Sequence, residues 1–132
     1  MRNLETITLQ NKIFIDFVKN SFKTQCGACI PKLIHQYIVK HFTYIPDQYD
    51  EVIQAPYILL NSKIGDCDDF SLFAFCALKI LGKYPKYIVF GKSPGKFSHI
   101  AVMIDGKILD GTNPSFNDWQ SITKKYNYFL YP

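Results

Sequence analysis

The segment from Phe70 to Leu81 constrains this chain more than any other, because only Ser71 and Lys79 interrupt an apolar run with helical spacing. Phe70, Phe73, Ala74, Ala77, Leu78 and Leu81 fall at i, i+3, i+4, i+7, i+8 and i+11, one face of a 3.6-residue repeat. Leu72, Phe75, Cys76 and Ile80 cover the opposite side. A helix that is apolar nearly all round has no solvent face and belongs inside a core. Gly82 supplies its C-terminal stop.

Directly ahead of this run stands Gly65-Asp66-Cys67-Asp68-Asp69, so Cys67 falls at the start of the buried helix. Backbone N–H groups at a helix N-terminus stabilise negative charge, which is how a cysteine nucleophile is commonly mounted. Cys67 is therefore the candidate nucleophile. Cys76, mid-helix among apolar neighbours, reads as a buried structural thiol.

A hairpin supplies the partners. Ser98 to Ile104 and Lys107 to Gly111 read as strands around Asp105-Gly106, the residue pair favoured in a two-residue type I′ turn. That turn fixes the register: Ile104 faces Lys107, Met103 faces Ile108, Val102 faces Leu109 and Ala101 faces Asp110. Side chains alternate along a strand, so His99 shares a face with Ala101 and hence with Asp110. Diagonal neighbours of this kind lie roughly 7–8 Å apart at the backbone, within reach of a carboxylate–imidazole contact.

These pieces together resemble the transglutaminase-like core of the papain-type cysteine enzymes. The resemblance rests on Gly65-Asp66-Cys67-Asp68-Asp69, Leu78-Lys79-Ile80-Leu81-Gly82, Ser98-His99-Ile100-Ala101-Val102 and Leu109-Asp110-Gly111-Thr112, in the order Cys, His, Asp. Gln54-Ala55-Pro56 is similar to a Gln-x-Pro element of some bacterial and phage members. The likeness covers about Val52 to Pro114, and the combination is far more specific than any one motif. It implies Cys67 as nucleophile, His99 as general base and acid, and Asp110 as the group orienting the imidazole, with a thioester intermediate.

Water as the acceptor would make a peptidase or amidase; a lysine-like amine would make a transglutaminase. The small bacterial and phage members tilt the expectation toward hydrolysis of a protein or peptide substrate. A reading from another class is a binding or assembly module, phage-related, that keeps the fold and uses its cleft for recognition.

The carboxylates beside Cys67 have two readings. Asp68 and Asp69 suit the first turn of a helix, and capping alone accounts for them. The resemblance also extends to calcium-dependent bacterial cysteine proteinases with a similar acidic motif, which implies Asp66, Asp68 and Asp69 as calcium ligands; calcium takes six to eight oxygens, so carbonyls or water would complete the set. Capping is the preferred account, and no cofactor is required by the chemistry. Gln54 is a candidate oxyanion donor and equally a loop or capping residue before Pro56.

Composition excludes several classes. The 132 residues suit one domain spanning 1–132, and 48% hydrophobic content suffices for a continuous core. A net charge of +4 from scattered lysines gives no support for nucleic-acid binding. No run reaches membrane-span length and no signal peptide is evident, so a soluble cytoplasmic protein is expected, with virion association an alternative. Gly91-Lys92-Ser93-Pro94-Gly95-Lys96-Phe97 is one residue short of a phosphate loop and reads as the loop delivering the histidine strand.

Four cysteines, one of them needed free, suggest a reducing compartment. Cys26 and Cys29 form a Cys-x-x-Cys pair, a redox site or half a zinc site, with His35 and His41 at spacings that match no common finger. Upstream, Ile13, Phe14, Phe17, Val18 and Phe22 share a helical face, and Pro31 can start a helix turning Leu33, Ile34, Tyr37 and Ile38 inward. Tyr44 to Gln54 reads as a loop near the cleft, and Tyr126 to Tyr131 as a closing strand. The expected fold is α+β: helices first, then a central nucleophile helix packed on an antiparallel sheet that holds the His–Asp hairpin.

Overall fold

A computed structural model describes residues 2–46 and 53–132 of the chain. Among these residues the architecture is α+β, with six α-helices and a four-stranded antiparallel sheet. Two N-terminal helices, α1 (Arg2–Gln10) and α2 (Lys12–Ser21), meet at Asn11, whose side-chain oxygen caps α2 by accepting from the Phe14 N–H at 2.9 Å. Phe14 and Val18 of α2 are fully buried, but Ile13 is 75% exposed. The inward stripe expected there thus begins one residue later, because Ile13 lies about 100° round the helix from Phe14.

Helix α3 (Ile30–His41) begins with Pro31 in its first turn, where a missing N–H costs nothing. Ile34 and Ile38 are buried, and Leu33 and Tyr37 pack against the same core. His35 is buried with them, which the apolar stripe did not include.

The next elements bring the chain to the nucleophile. Strand β1 (Thr43–Tyr44) pairs in parallel with β2 (Ile64–Gly65), and helix α4 (Pro56–Ser62) lies between them in sequence. The start of the expected Tyr44–Gln54 loop is therefore strand; positions 47–52 of it lie outside the described residues.

Helix α5 (Cys67–Ile80) is the centre of the molecule, with Phe70, Leu72, Phe73, Ala74, Cys76, Ala77 and Leu78 all buried. An aromatic cluster surrounds it. Phe73 meets Phe14 edge-on at 5.4 Å and Phe42 at 5.1 Å, and Tyr37 stacks on Phe73 at 6.0 Å. Such pairs add about 0.5–1.5 kcal/mol each beyond the area they bury.

The sheet follows as β3 (Lys86–Ser93), β4 (Lys96–Ile104), β5 (Lys107–Leu109) and, after helix α6 (Trp119–Lys125), β6 (Tyr128–Leu130), in the order β5-β4-β3-β6. The β4–β5 register is Ile104 to Lys107, Met103 to Ile108 and Val102 to Leu109, as the Asp-Gly turn dictates. Asp105 and Gly106 have φ of 52° and 75°, the left-handed pair of a type I′ turn. The stretch from Gly91 to Phe97 is a hairpin tip rather than a loop: Gly91 pairs with Phe97 and Ser93 with Lys96 across an irregular register.

Cysteine usage differs from expectation. Cys26 and Cys29 form a disulfide with Cα atoms 5.3 Å apart, while Cys67 and Cys76 are free thiols. The short 3₁₀ turn Gly27–Cys29 folds the chain enough to bring the two sulfurs together. Neither sulfur is then a zinc ligand, and a wholly reduced set of cysteines does not describe this structure.

Candidate active site

Cys67 stands at the first position of α5 because the preceding residues build a tight N-terminal cap. Asp66 accepts from the N–H groups of Asp68 (3.1 Å) and Asp69 (3.3 Å), while Asp69 accepts from the Asp66 N–H (3.0 Å), completing a reciprocal capping box. The Cys67 N–H takes no part in this cap, so it remains at the helix start beside its own sulfur. Gly65 makes the close approach feasible: a Cβ there would come within 2.9 Å of the Asp69 Cβ and carboxylate.

Gln54 lies against this cap. Its backbone N–H donates to Asp69 Oδ1 at 2.7 Å, and its side-chain amide donates to the Ile64 carbonyl at 2.7 Å and to Asp69 Oδ2 at 3.4 Å. Ser62 donates to its carbonyl oxygen at 2.6 Å. The amide of Gln54 is thus committed to struts that hold α4, β2 and α5 together. Burial pushes the Asp69 carboxyl above its ordinary range, with the Asp66 charge adding to the shift and the two backbone donors opposing it.

Across from the cap, β4 delivers His99 and the end of β5 delivers Asp110. His99 Nε2 donates to Asp110 Oδ2 at 2.7 Å, the contact implied by the hairpin register. Asp110 Oδ1 is held by the Thr112 N–H (3.0 Å) and hydroxyl (2.8 Å). Burial alone would raise the Asp110 carboxyl, but His99 and Thr112 outweigh it and lower its pKa. Burial likewise works against the His99 imidazolium; hydrogen bonds to Asp110 and to Cys67, with the charges of both, overcome it and raise the group to about 9. With Nε2 engaged by Asp110, Nδ1 is the ring nitrogen left to exchange a proton, and His99 lines a hollow together with Cys67.

Two hollows flank His99. One, of about 490 Å³, is lined by Tyr44, His99, Asp110, Thr112, Asp118 and Tyr126 among others. The other, of about 200 Å³, is lined by Cys67, Asp68, Val89, Phe97, His99 and Ile100 together with Ser98. Tyr126 stacks on His99, and the Tyr44 hydroxyl, whose pKa burial raises most and the charges of Cys67 and Asp66 raise further, lies on the same side. Sequence reasoning missed both tyrosines. Tyr126 fell within the expected closing strand, which in fact begins at Tyr128, whereas Tyr44 depends on a parallel pairing with Gly65 that no local pattern announces.

No model of a known protein family and no curated protein matches the sequence. Solved structures match the fold. LapG of Legionella pneumophila superposes with a TM-score of 0.65 at 14% identity, over 92% of this chain and 76% of LapG. A Cytophaga hutchinsonii protein provisionally named a cysteine protease gives 0.63 at 18% identity, over 80% of this chain and 39% of that one. A protein described as a TGase gives 0.53 at 19% identity, over 94% and 36% respectively. The chain has the transglutaminase-like fold. It spans less than half the length of the Cytophaga and TGase chains that share this transglutaminase-like architecture.

LapG is matched in both a calcium-bound and an EGTA-treated form. In this chain two of the three carboxylates expected as calcium ligands, Asp66 and Asp69, serve the cap of α5. Asp66 Oδ1 and both oxygens of Asp69 accept from backbone N–H groups, and no group of three or more His, Cys, Asp or Glu side chains among the described residues is arranged to hold a metal. His35 and His41 likewise join no cysteine: His35 bonds to backbone carbonyls and His41 packs on Tyr37 at 4.3 Å. No helix among the described residues is long and apolar enough to cross a membrane.

Proposed function

We propose that this chain is a single catalytic domain of a thiol-dependent acyl-transfer enzyme, a cysteine peptidase or amidase acting on a protein or peptide substrate. The observation that carries the reading is the His99–Asp110 contact of 2.7 Å on an imidazole that lines one hollow with Cys67. A sulfur, an imidazole and an orienting carboxylate in that sequence of contacts form a nucleophile–base–orienter relay.

In this reading Cys67 Sγ attacks the substrate carbonyl after giving its proton to His99 Nδ1. The Cys67 N–H and the start of α5 meet the oxygen as it becomes negative. The proton on His99 passes to the leaving amine, the C–N bond breaks, and a thioester joins the acyl group to Cys67. Water, deprotonated by His99, then attacks the thioester and frees the acid and the thiol. Asp110, fixed by Thr112, keeps Nε2 protonated so that Nδ1 is the nitrogen that exchanges protons.

An amine in place of water gives transamidation by the same thioester. Turnover of a peptide library with and without an added primary amine, followed by mass spectrometry, separates the two: acid products mark hydrolysis and amine adducts mark transfer. Cys67→Ala is expected to abolish turnover with either acceptor, and activity retained in that variant would remove Cys67 as the nucleophile.

A further inference from the structure

His35 is a fully enclosed histidine that the chemistry above does not use. It projects from α3 with 2% exposure, and its Nε2 lies 3.1 Å from the Asp110 carbonyl and 2.8 Å from the Asn113 carbonyl. Two carbonyl oxygens can only accept, so Nε2 carries the hydrogen and donates to both. These carbonyls begin and end one turn, because the Asn113 N–H also donates to the Asp110 carbonyl at 3.1 Å. His35 therefore pins both ends of the turn whose first side chain is Asp110.

The same turn is pressed against α3 and α5 at its second residue. A Cβ on Gly111 would lie 2.8 Å from both Ile38 Cγ2 and Phe70 Cβ, so the backbone there has no room to shift toward the core. Phe116 covers the His35 ring at 5.6 Å. Within the turn, Thr112 grips Asp110 Oδ1, and Oδ2 is left to His99. One helix-borne N–H thus sets the backbone from which the orienting carboxylate is aimed.

We infer that His35 is a positioning residue of the site: by holding the Asp110–Asn113 turn, it fixes the carboxylate that holds His99. The inference rests on the catalytic reading of His99 and Asp110, and it assigns to the N-terminal helices a share in that site. A donor is what the two carbonyls require, and the Nε2–H of His35 supplies it.

The titratable groups facing His99 are Asp110, Cys67 and the parallel Tyr126, with Tyr44 beside them and the Phe90 ring at 6.0 Å. The test follows two readouts in the full chain: the NMR pH titration of the His99 ring and the rate of Cys67 alkylation by iodoacetamide. In His35→Leu, His99 is expected to titrate lower than in the wild type, and alkylation near neutral pH to slow on the order of 10-fold, as a small misplacement of a catalytic group would cause. His35→Gln is expected to restore both, since its terminal amide N–H can occupy the place of Nε2–H. A folded His35→Leu whose His99 titration overlays the wild type would overturn the inference, because a merely structural contact would alter stability and leave that curve in place. Should the leucine variant not fold, His35→Asn, too short to reach either carbonyl, is read in the same way. The catalytic reading is judged separately by His99→Ala: unchanged Cys67 alkylation there would sink it, while the His99 titration in the His35 variants still decides the positioning role.

Discussion

Tyr126 lies parallel to His99, with ring centroids 5.6 Å apart and planes within 1° of each other. The two rings line the same hollow just where the chain leaves α6 for β6. A parallel neighbour at this distance restricts rotation of the imidazole. Tyr126→Ala is expected to lower turnover about 3- to 10-fold, the equivalent of roughly 0.5–1.5 kcal/mol for a lost aromatic contact. Tyr126→Phe should be silent, and steady-state kinetics on both variants tests the stacking role.

Asp110→Asn leaves the shape of the turn intact but replaces an acceptor with an amide that cannot hold His99 in the same protonation pattern. Turnover is expected to fall about 10³- to 10⁴-fold, as it does when an orienting aspartate is neutralised in comparable relays. The His99 imidazole should also titrate below the value of about 9 that it has beside an intact carboxylate. NMR titration of the variant measures this directly.

The pair also makes stability depend on pH. His99 is raised in the folded protein to about 9 from an ordinary 6.5, so its stabilising share is complete below about 6.5 and is lost as pH rises through about 9. Asp110 is lowered, so its share is present above its ordinary 3.8 and is lost as pH falls through the lower folded value. The Tm difference between wild type and His99→Gln should therefore shrink across the alkaline window, which thermal melts over a pH series will measure.

The two free thiols should behave in opposite ways. Cys76 is enclosed, and burial pushes it up to about 12, whereas Cys67 lines a hollow beside His99. Brief treatment with iodoacetamide is expected to modify Cys67 and leave Cys76 untouched until the protein unfolds. Peptide mapping by mass spectrometry gives the answer, and equal labelling in the folded protein would argue for a recognition module in place of an enzyme.

Capping accounts for the carboxylates of Asp66 and Asp69, so chelation is expected to change neither Tm nor rate. Asp66→Ala should instead cost about 1 kcal/mol of stability through the lost cap. A Tm that rises with added calcium would restore the metal-ligand reading of this acidic stretch.

The central helix and the His–Asp hairpin were legible in the sequence because each is set by local rules: a 3.6-residue apolar period and the handedness of an Asp-Gly turn. His35 drew notice only as a metal-ligand candidate, although Pro31, Ile34, His35 and Ile38 stand at i, i+3, i+4 and i+7, one face of α3. The apolar stripe was traced by hydrophobicity alone, and a histidine satisfied by two carbonyls does not register on that scale. The β1–β2 pairing escaped for a different reason. Two residues meeting two others across some twenty intervening positions leave no periodic trace, so Tyr44 could not be placed beside Gly65. The Cys26–Cys29 bridge depends on a single 3₁₀ turn, and the spacing alone fitted a metal or redox pair equally well.

In the sheet order β5-β4-β3-β6, the three-residue strand β5 lies at one margin, bonded on one side only. Cys67 belongs to the most deeply embedded helix of the molecule, while Asp110 follows this short outer strand. Outer strands open with less free energy than central elements, so the aim of the Asp110 carboxylate depends on the anchors that His35 and Thr112 supply beyond the strand. Those few bonds, and not the sheet, carry the alignment of the carboxylate with the imidazole.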